Sequence, residues 1–280
     1  MSHPVHALLE VPATLAVVLV ALVYARGWRR MRRRSPSTIS GRRPAAFLAG
    51  LSSVWIAVGS PLTAFQHELL SVHMVQHVLL MAVAPPLLLI GRPALAFRYG
   101  LPWRSAPRAL RQVLRSPRTQ PLRRLLTHPV VCWLAPVAAL IGWHVPAGFE
   151  LGMHSRGWHD VQAASFLATG LLFWAPVVQG LASRAAERRW WIPMYLFAAT
   201  LPCDALSAFL VFCGRVVYPS YLSASRLSNV SALHDQECAG AFMWVSVTLI
   251  YLVPAVVITL QLLAPARRFR VRAAQPQVAG

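Results

Sequence analysis

Lysine is missing: all 27 basic residues are arginine. A retinal Schiff base needs a lysine amine, so a retinal protein is excluded. Acids are scarce too, eight in 280 residues, and only 12% of the chain is charged. A soluble domain carries about 25% charged residues. The four cysteines (Cys132, Cys203, Cys213, Cys238) show no C-x-x-C spacing, so no zinc ribbon or thioredoxin-like motif is supported. No phosphate-binding glycine loop and no nucleophile–base arrangement occurs, so the chain is not expected to be an enzyme. Met1-Ser-His-Pro-Val-His6 lacks the positive segment of a secretory signal, so the first apolar run is expected to be retained.

What is present is hydrophobic sequence, 56% of residues, at a mean hydropathy of +0.52. It is organised in long runs, which predict an all-α polytopic membrane protein. Seven transmembrane helices are expected, over about 8–25, 45–64, 69–91, 129–148, 159–181, 191–214 and 236–263. Pro85-Pro86 should kink or stop the third span and Pro202 should interrupt the sixth. Ala106 to Leu126 is expected to lie on the membrane surface as a basic amphipathic helix. Tyr218 and Tyr221 read as residues of the interfacial aromatic belt, and 264–280 as a disordered cytoplasmic tail.

The arginines alternate from loop to loop. Those after spans one, three and five, with the tail, hold 24 of the 27, leaving Arg156, Arg215 and Arg226 for the other side. The positive-inside rule therefore predicts an external N-terminus and a cytoplasmic C-terminus. It also assigns the net charge of +19 to topology and anionic membrane lipid rather than nucleic acid. In this orientation nine of the ten histidines, all but His128, lie outside or in the outer half of a helix. Six of the eight acids lie there too.

The third span carries His73, Met74, His77 and Met81, with His73, His77 and Met81 at i, i+4 and i+8 on one stripe. Ionisable groups inside a bilayer are costly and mark function. Imidazole with thioether is a donor set for copper, above all Cu(I). His144 and His159, each behind a tryptophan at a helix end, are expected at a similar depth to His73. His234, Asp235, Cys238 and Met243 open the last span. There Asp235 either orients a ligating imidazole or complements the helix dipole. Asp204 is an ion or proton site, or an acceptor for hydroxyl donors. Cys213 and Cys238 either form a disulfide or bind copper.

Three blocks resemble the CtaG-like assembly factors of caa3-type cytochrome c oxidase, seven-helix bacterial membrane proteins. They are His73-Met-Val-Gln-His through Pro85-Pro86 to Gly91-Arg-Pro93, Trp143-His-Val-Pro-Ala-Gly-Phe149 with Phe166 to Pro176, and Asp235-Gln-Glu-Cys-Ala-Gly-Ala-Phe-Met-Trp244. The resemblance implies a role in maturing the oxidase in the bacterial plasma membrane, connected with its copper centres. The partners it implies are oxidase subunits or other assembly factors. The chain departs from the family pattern at Val245-Ser-Val247, where Pro-Gly is expected. It departs again at Gln162-Ala163, where a second histidine is expected a turn after His159. His73, His77, His144, His159, His234, Met74, Cys238 and Met243 are the candidate copper ligands. Two other readings stand beside this one: a haem protein using facing histidines such as His77 and His144, and a small ion or metal transporter using Asp204.

Overall fold

The computed structural model describes residues 3–34, 41–101, 116, 119–182, 189–223 and 230–263, with the backbone alone for 3–10 and 182. The tail 264–280 and most of 102–118, including the greater part of the expected surface helix, lie outside the described residues. Within them the chain is helical, with no strand. The helices are α1 (His3–Arg34), α2 (Arg42–Val58), α3 (Leu70–Ile90), α4 (Pro93–Gly100), α5 (Gln120–Leu126), α6 (Pro129–His144), α7 (Pro146–His154), α8 (Arg156–Ala182), α9 (Ile192–Phe212) and α10 (Ala232–Leu263). Six helices are long and apolar enough to cross a membrane, and seven if α5 and α6, bent by 68°, form one span.

α3 is the central helix. Its apolar window is 61% buried, against 17–39% for the other long spans, and it packs against α2, α8 and α10. α9 and α10 form the most extensive helix pair. A separate small cluster of Tyr24, Trp28, Phe47, Leu51 and Ala96 joins α1, α2 and α4. It explains why α1 runs on to Arg34, past the expected end at 25. Gly27 and Gly100 let α1 and α4 touch backbone to backbone, since a Cβ on Gly27 would lie 1.8 Å from the Ala96 carbonyl oxygen.

The helices run on past their prolines. α3 does not stop at Pro85-Pro86. Neither proline can donate an N–H to the preceding turn. A π turn over Leu79–Val83 absorbs this defect, with the Ala84 N–H reaching the Leu79 carbonyl, and the helix continues. The π turn adds a residue to the helical register. Met81 lies inside that π turn. It lines a cavity of about 20 Å³ with Leu140, Cys203 and Tyr251. α9 likewise runs through Pro202 without a break.

Gly170 of α8 seats this part of α3. A Cβ there would come within 2.7 Å of the Met81 carbonyl oxygen and 2.8 Å of Pro85 Cγ. Gly170→Ala should cost about 1–3 kcal/mol by overpacking. Gly142→Ala, where a Cβ meets nothing within 4 Å, should be neutral or stabilising by about 0.5–1 kcal/mol. Thermal unfolding of both variants in detergent checks the difference; equal melting temperatures would refute the close contact.

The chain after His144 is a further correction. The fourth span ends at His144 rather than 148, because Val145 precedes Pro146 and adopts an extended conformation (ψ 134°). Residues 146–154 then form the helix α7 where a loop was expected.

Candidate functional site

The site begins at the first turn of α3. Asp235, in the first turn of α10, accepts hydrogen bonds from the Leu70 N–H (2.6 Å), the Ser71 N–H (3.3 Å) and the Ser71 hydroxyl (2.6 Å). One carboxylate thus serves the positive ends of two helices. Asp235 contacts no imidazole among its described hydrogen bonds. It sets the position of the helix that carries the histidines, and does not orient a ligand directly.

From that fixed end the histidines form a line. His73 and His77 face the same way, ring centres 4.3 Å apart. His73 lies 5.5 Å from His159 of α8, and His77 lies 5.4 Å from His144 of α6. Beyond them the His144 Nε2 lies 3.4 Å from the Met74 sulfur. At the other end His159 is 6.4 Å from His67, on the connection between α2 and α3. Exposure falls along this line: His67 is exposed, His159 half-buried, and His73, His77 and His144 are buried. Four of the candidate histidines therefore converge, together with Met74.

The inner part of the ladder is dry and polar at once. Phe149 and Phe166 pack 5.1 Å from His73 and 4.4 Å from His77. Both ring nitrogens of His73 and of His77 are buried with no hydrogen-bond partner among the described residues, as are both amide atoms of Gln76 and Gln162. The Gln162 amide lies close enough to the His77 ring to act on it as a weak hydrogen-bond partner. Each unpaired buried group costs about 1–3 kcal/mol. His144 differs, since its Nδ1 donates to the Leu140 carbonyl at 2.7 Å. That bond fixes the ring and leaves the Nε2 lone pair aimed toward Met74, the arrangement common for a ligating histidine.

The donors fit copper in kind. They are neutral imidazoles with a thioether in a low-dielectric pocket. They do not form a closed multidentate cage: no group of three or more His, Cys, Asp or Glu side chains is arranged around one ion among the described residues. The ladder offers pairs, which suits the low coordination numbers of Cu(I). A porphyrin between His77 and His144 is ruled out by packing, because the rings of His73 and Phe166 already sit 4.3 and 4.4 Å from His77.

A sequence profile of the cytochrome c oxidase caa3 assembly factors matches residues 22–264. The chain belongs to that family. It is 27% identical over 235 residues to the uncharacterized protein Mb0105 of Mycobacterium bovis and to the uncharacterized protein MT0111 of Mycobacterium tuberculosis. These alignments cover 82% of this chain and 35% of each relative, so the chain spans about a third of the length of the curated relatives it matches. No solved structure is significantly similar to it. As a member of that family with several apolar spans, it is a multi-pass protein of the bacterial plasma membrane.

In this family member the loop after α9 closes one side of the ladder. Tyr218 stacks on Phe149 at 3.8 Å and donates to the His144 carbonyl at 3.1 Å. Tyr221 donates to the Gln66 carbonyl at 2.7 Å. Neither tyrosine belongs to an interfacial belt, since both are buried. The reason is that orphan carbonyls at the helix end and in the α2–α3 connection accept their hydroxyls. Burial pushes both phenols above the usual tyrosine range, so they remain protonated donors. Glu150 accepts from the Ser220 hydroxyl and N–H, and the Gln236 side chain accepts from the Val217 N–H at 2.7 Å. Tyr218→Phe should lose about 1 kcal/mol of stability and raise hydrogen exchange in 213–221. Unchanged exchange would show that the hydroxyl does not hold the loop.

The remaining candidates are placed elsewhere. The His234 side chain is 65% exposed, 3.6 Å from Glu237 and 3.8 Å from the Cys238 sulfur. This pair sits outside the buried ladder. Met243 is core packing on α10. Asp204 accepts from the Thr248 hydroxyl at 3.2 Å. That contact matches the reading of Asp204 as an acceptor for a hydroxyl donor. All four cysteines are free thiols, so Cys213 and Cys238 are not paired. Cys213 instead accepts from the Gln236 amide and bonds to the Arg215 carbonyl.

Sequence reasoning misses His67 and Gln162 as parts of the site. His67 is visible as an outer histidine but has no spacing partner. Gln162 is visible only as a departure from the family pattern. Its burial beside His77 shows that the departure falls on the ladder itself.

Proposed function

We propose that this assembly factor serves caa3-type cytochrome c oxidase by holding copper for the oxidase's copper centres. The binding groups are His77 and His144, with Met74 as the soft third donor and His73 as the adjoining imidazole. The observation that carries this reading is the buried line of imidazoles with unpaired nitrogens, ending 3.4 Å from a thioether sulfur. Such groups are expensive to keep in an apolar core without a ligand. Copper, when bound, would supply a deliverable Cu(I) ion; the protein supplies neutral donors, exclusion of water and a fixed geometry. The Arg distribution supports an outward-facing ladder, because 24 of 27 arginines fall on the opposite side. The role is binding and delivery, not catalysis. Anaerobic Cu(I) titration of the purified protein, with copper analysis of the oxidase from a strain lacking it, tests the reading. Uptake of about one equivalent, as a single site requires, supports it; no uptake and a normally metallated oxidase would refute it.

A further inference from the structure

The outer end of the ladder has its own geometry. His67 and His159 are 6.4 Å apart, and His159 is 5.5 Å from His73. Two imidazoles sharing one ion at metal–nitrogen distances of about 2.0–2.1 Å have ring centres roughly 5–6 Å apart. Both outer separations match that span within side-chain adjustment. The other approach to His73 is shut, because Phe149 covers it and Tyr218 is stacked on Phe149. On the side of His67 and His159 exposure rises, from half-buried His159 to exposed His67.

We infer that His67 and His159 form the loading position through which Cu(I) reaches the buried ladder. The inference rests on the copper reading proposed for the ladder. The ion is first shared by His67 and His159. The bond to His67 then breaks as a bond to His73 forms, with His159 retained as the pivot. Coordination number and the single positive charge are unchanged. No electron is exchanged, and no proton is released where each neutral ring binds through its unprotonated nitrogen. The Gln66 amide lies 3.3 Å from His67 Nε2, a contact that gives way when the ion binds there. Of the charged groups nearest in sequence, Glu68 beside His67 and Asp160 beside His159 favour a cation, while Arg156, one turn before His159, opposes it.

The test is stopped-flow transfer of Cu(I) from a coloured chelator to the full chain in lipid nanodiscs. His67→Ala should slow loading on the order of tenfold, the usual scale for loss of one supporting ligand. His67→Met, which keeps a soft donor, should restore the rate. A wild-type rate in His67→Ala overturns the loading route while leaving the buried site standing. A slow rate that His67→Met fails to rescue also overturns it, since a packing defect would behave that way. No uptake by the wild type would overturn the copper reading itself, and the route with it.

Discussion

Purified His77→Leu protein should bind no copper and should be more stable than the wild type. The two outcomes have one cause. His77 is buried, and neither ring nitrogen has a hydrogen-bond partner among the described residues. An unpaired buried polar atom costs about 1–3 kcal/mol, and replacement by an apolar group of similar shape relieves that cost. Leucine fills a comparable space against Phe166, 4.4 Å away. The variant should therefore gain about 1–3 kcal/mol in the metal-free state. Metal analysis and thermal unfolding of the same sample measure both effects. A stability loss of about 2–5 kcal/mol, typical of damaged core packing, would mean that the imidazole is structural. Retained copper binding would remove His77 from the site.

Asp235→Ala should be the most damaging single change outside the ladder. It removes the acceptor of three hydrogen bonds that hold the first turn of α3. Hydrogen bonds to a charged group contribute about 1.5–3 kcal/mol each, and partial rescue by water brings the expected loss to about 3–5 kcal/mol. Asp235→Asn keeps an acceptor but not the charge shared by two helix N-termini, and should lose about half as much. Ser71→Ala should lose about 1 kcal/mol. Copper affinity should fall in the same order, because the turn that moves is the one preceding His73. Chemical unfolding and Cu(I) competition on the three variants give the ranking. If Ser71→Ala proved as costly as Asp235→Ala, the carboxylate would not be the anchor.

The membrane class, the helical architecture and the placing of His73 and His77 on one helix face are all legible in the sequence. Hydropathy and arginine spacing act over single segments, and an i, i+4 pair is a local property. Periodicity alone misses the π turn at Leu79–Val83, which relieves two prolines against a glycine of α8, a contact with no local signature. Tyr218 and Tyr221 look interfacial because aromatic position along the chain does not reveal which carbonyl accepts the hydroxyl. Pro202 signals a break, yet the packing of α9 against α10 carries the helix through it.

The candidate site divides along the same line. His144 and His159 are legible as histidines at helix ends, and tertiary packing supplies their meeting with His73 and His77. Asp235 is visible as an acid at a helix start, but its partners are 165 and 164 residues away in sequence. The amino-acid sequence alone determined that this chain lives in a membrane, how its basic charge is distributed among its loops, and that one helix bears two buried imidazoles. Only the tertiary structure decided which other donors join them, because the ladder is made of side chains from three helices and their connections. Its geometry depends on a carboxylate and a π turn whose effects act between helices rather than along one.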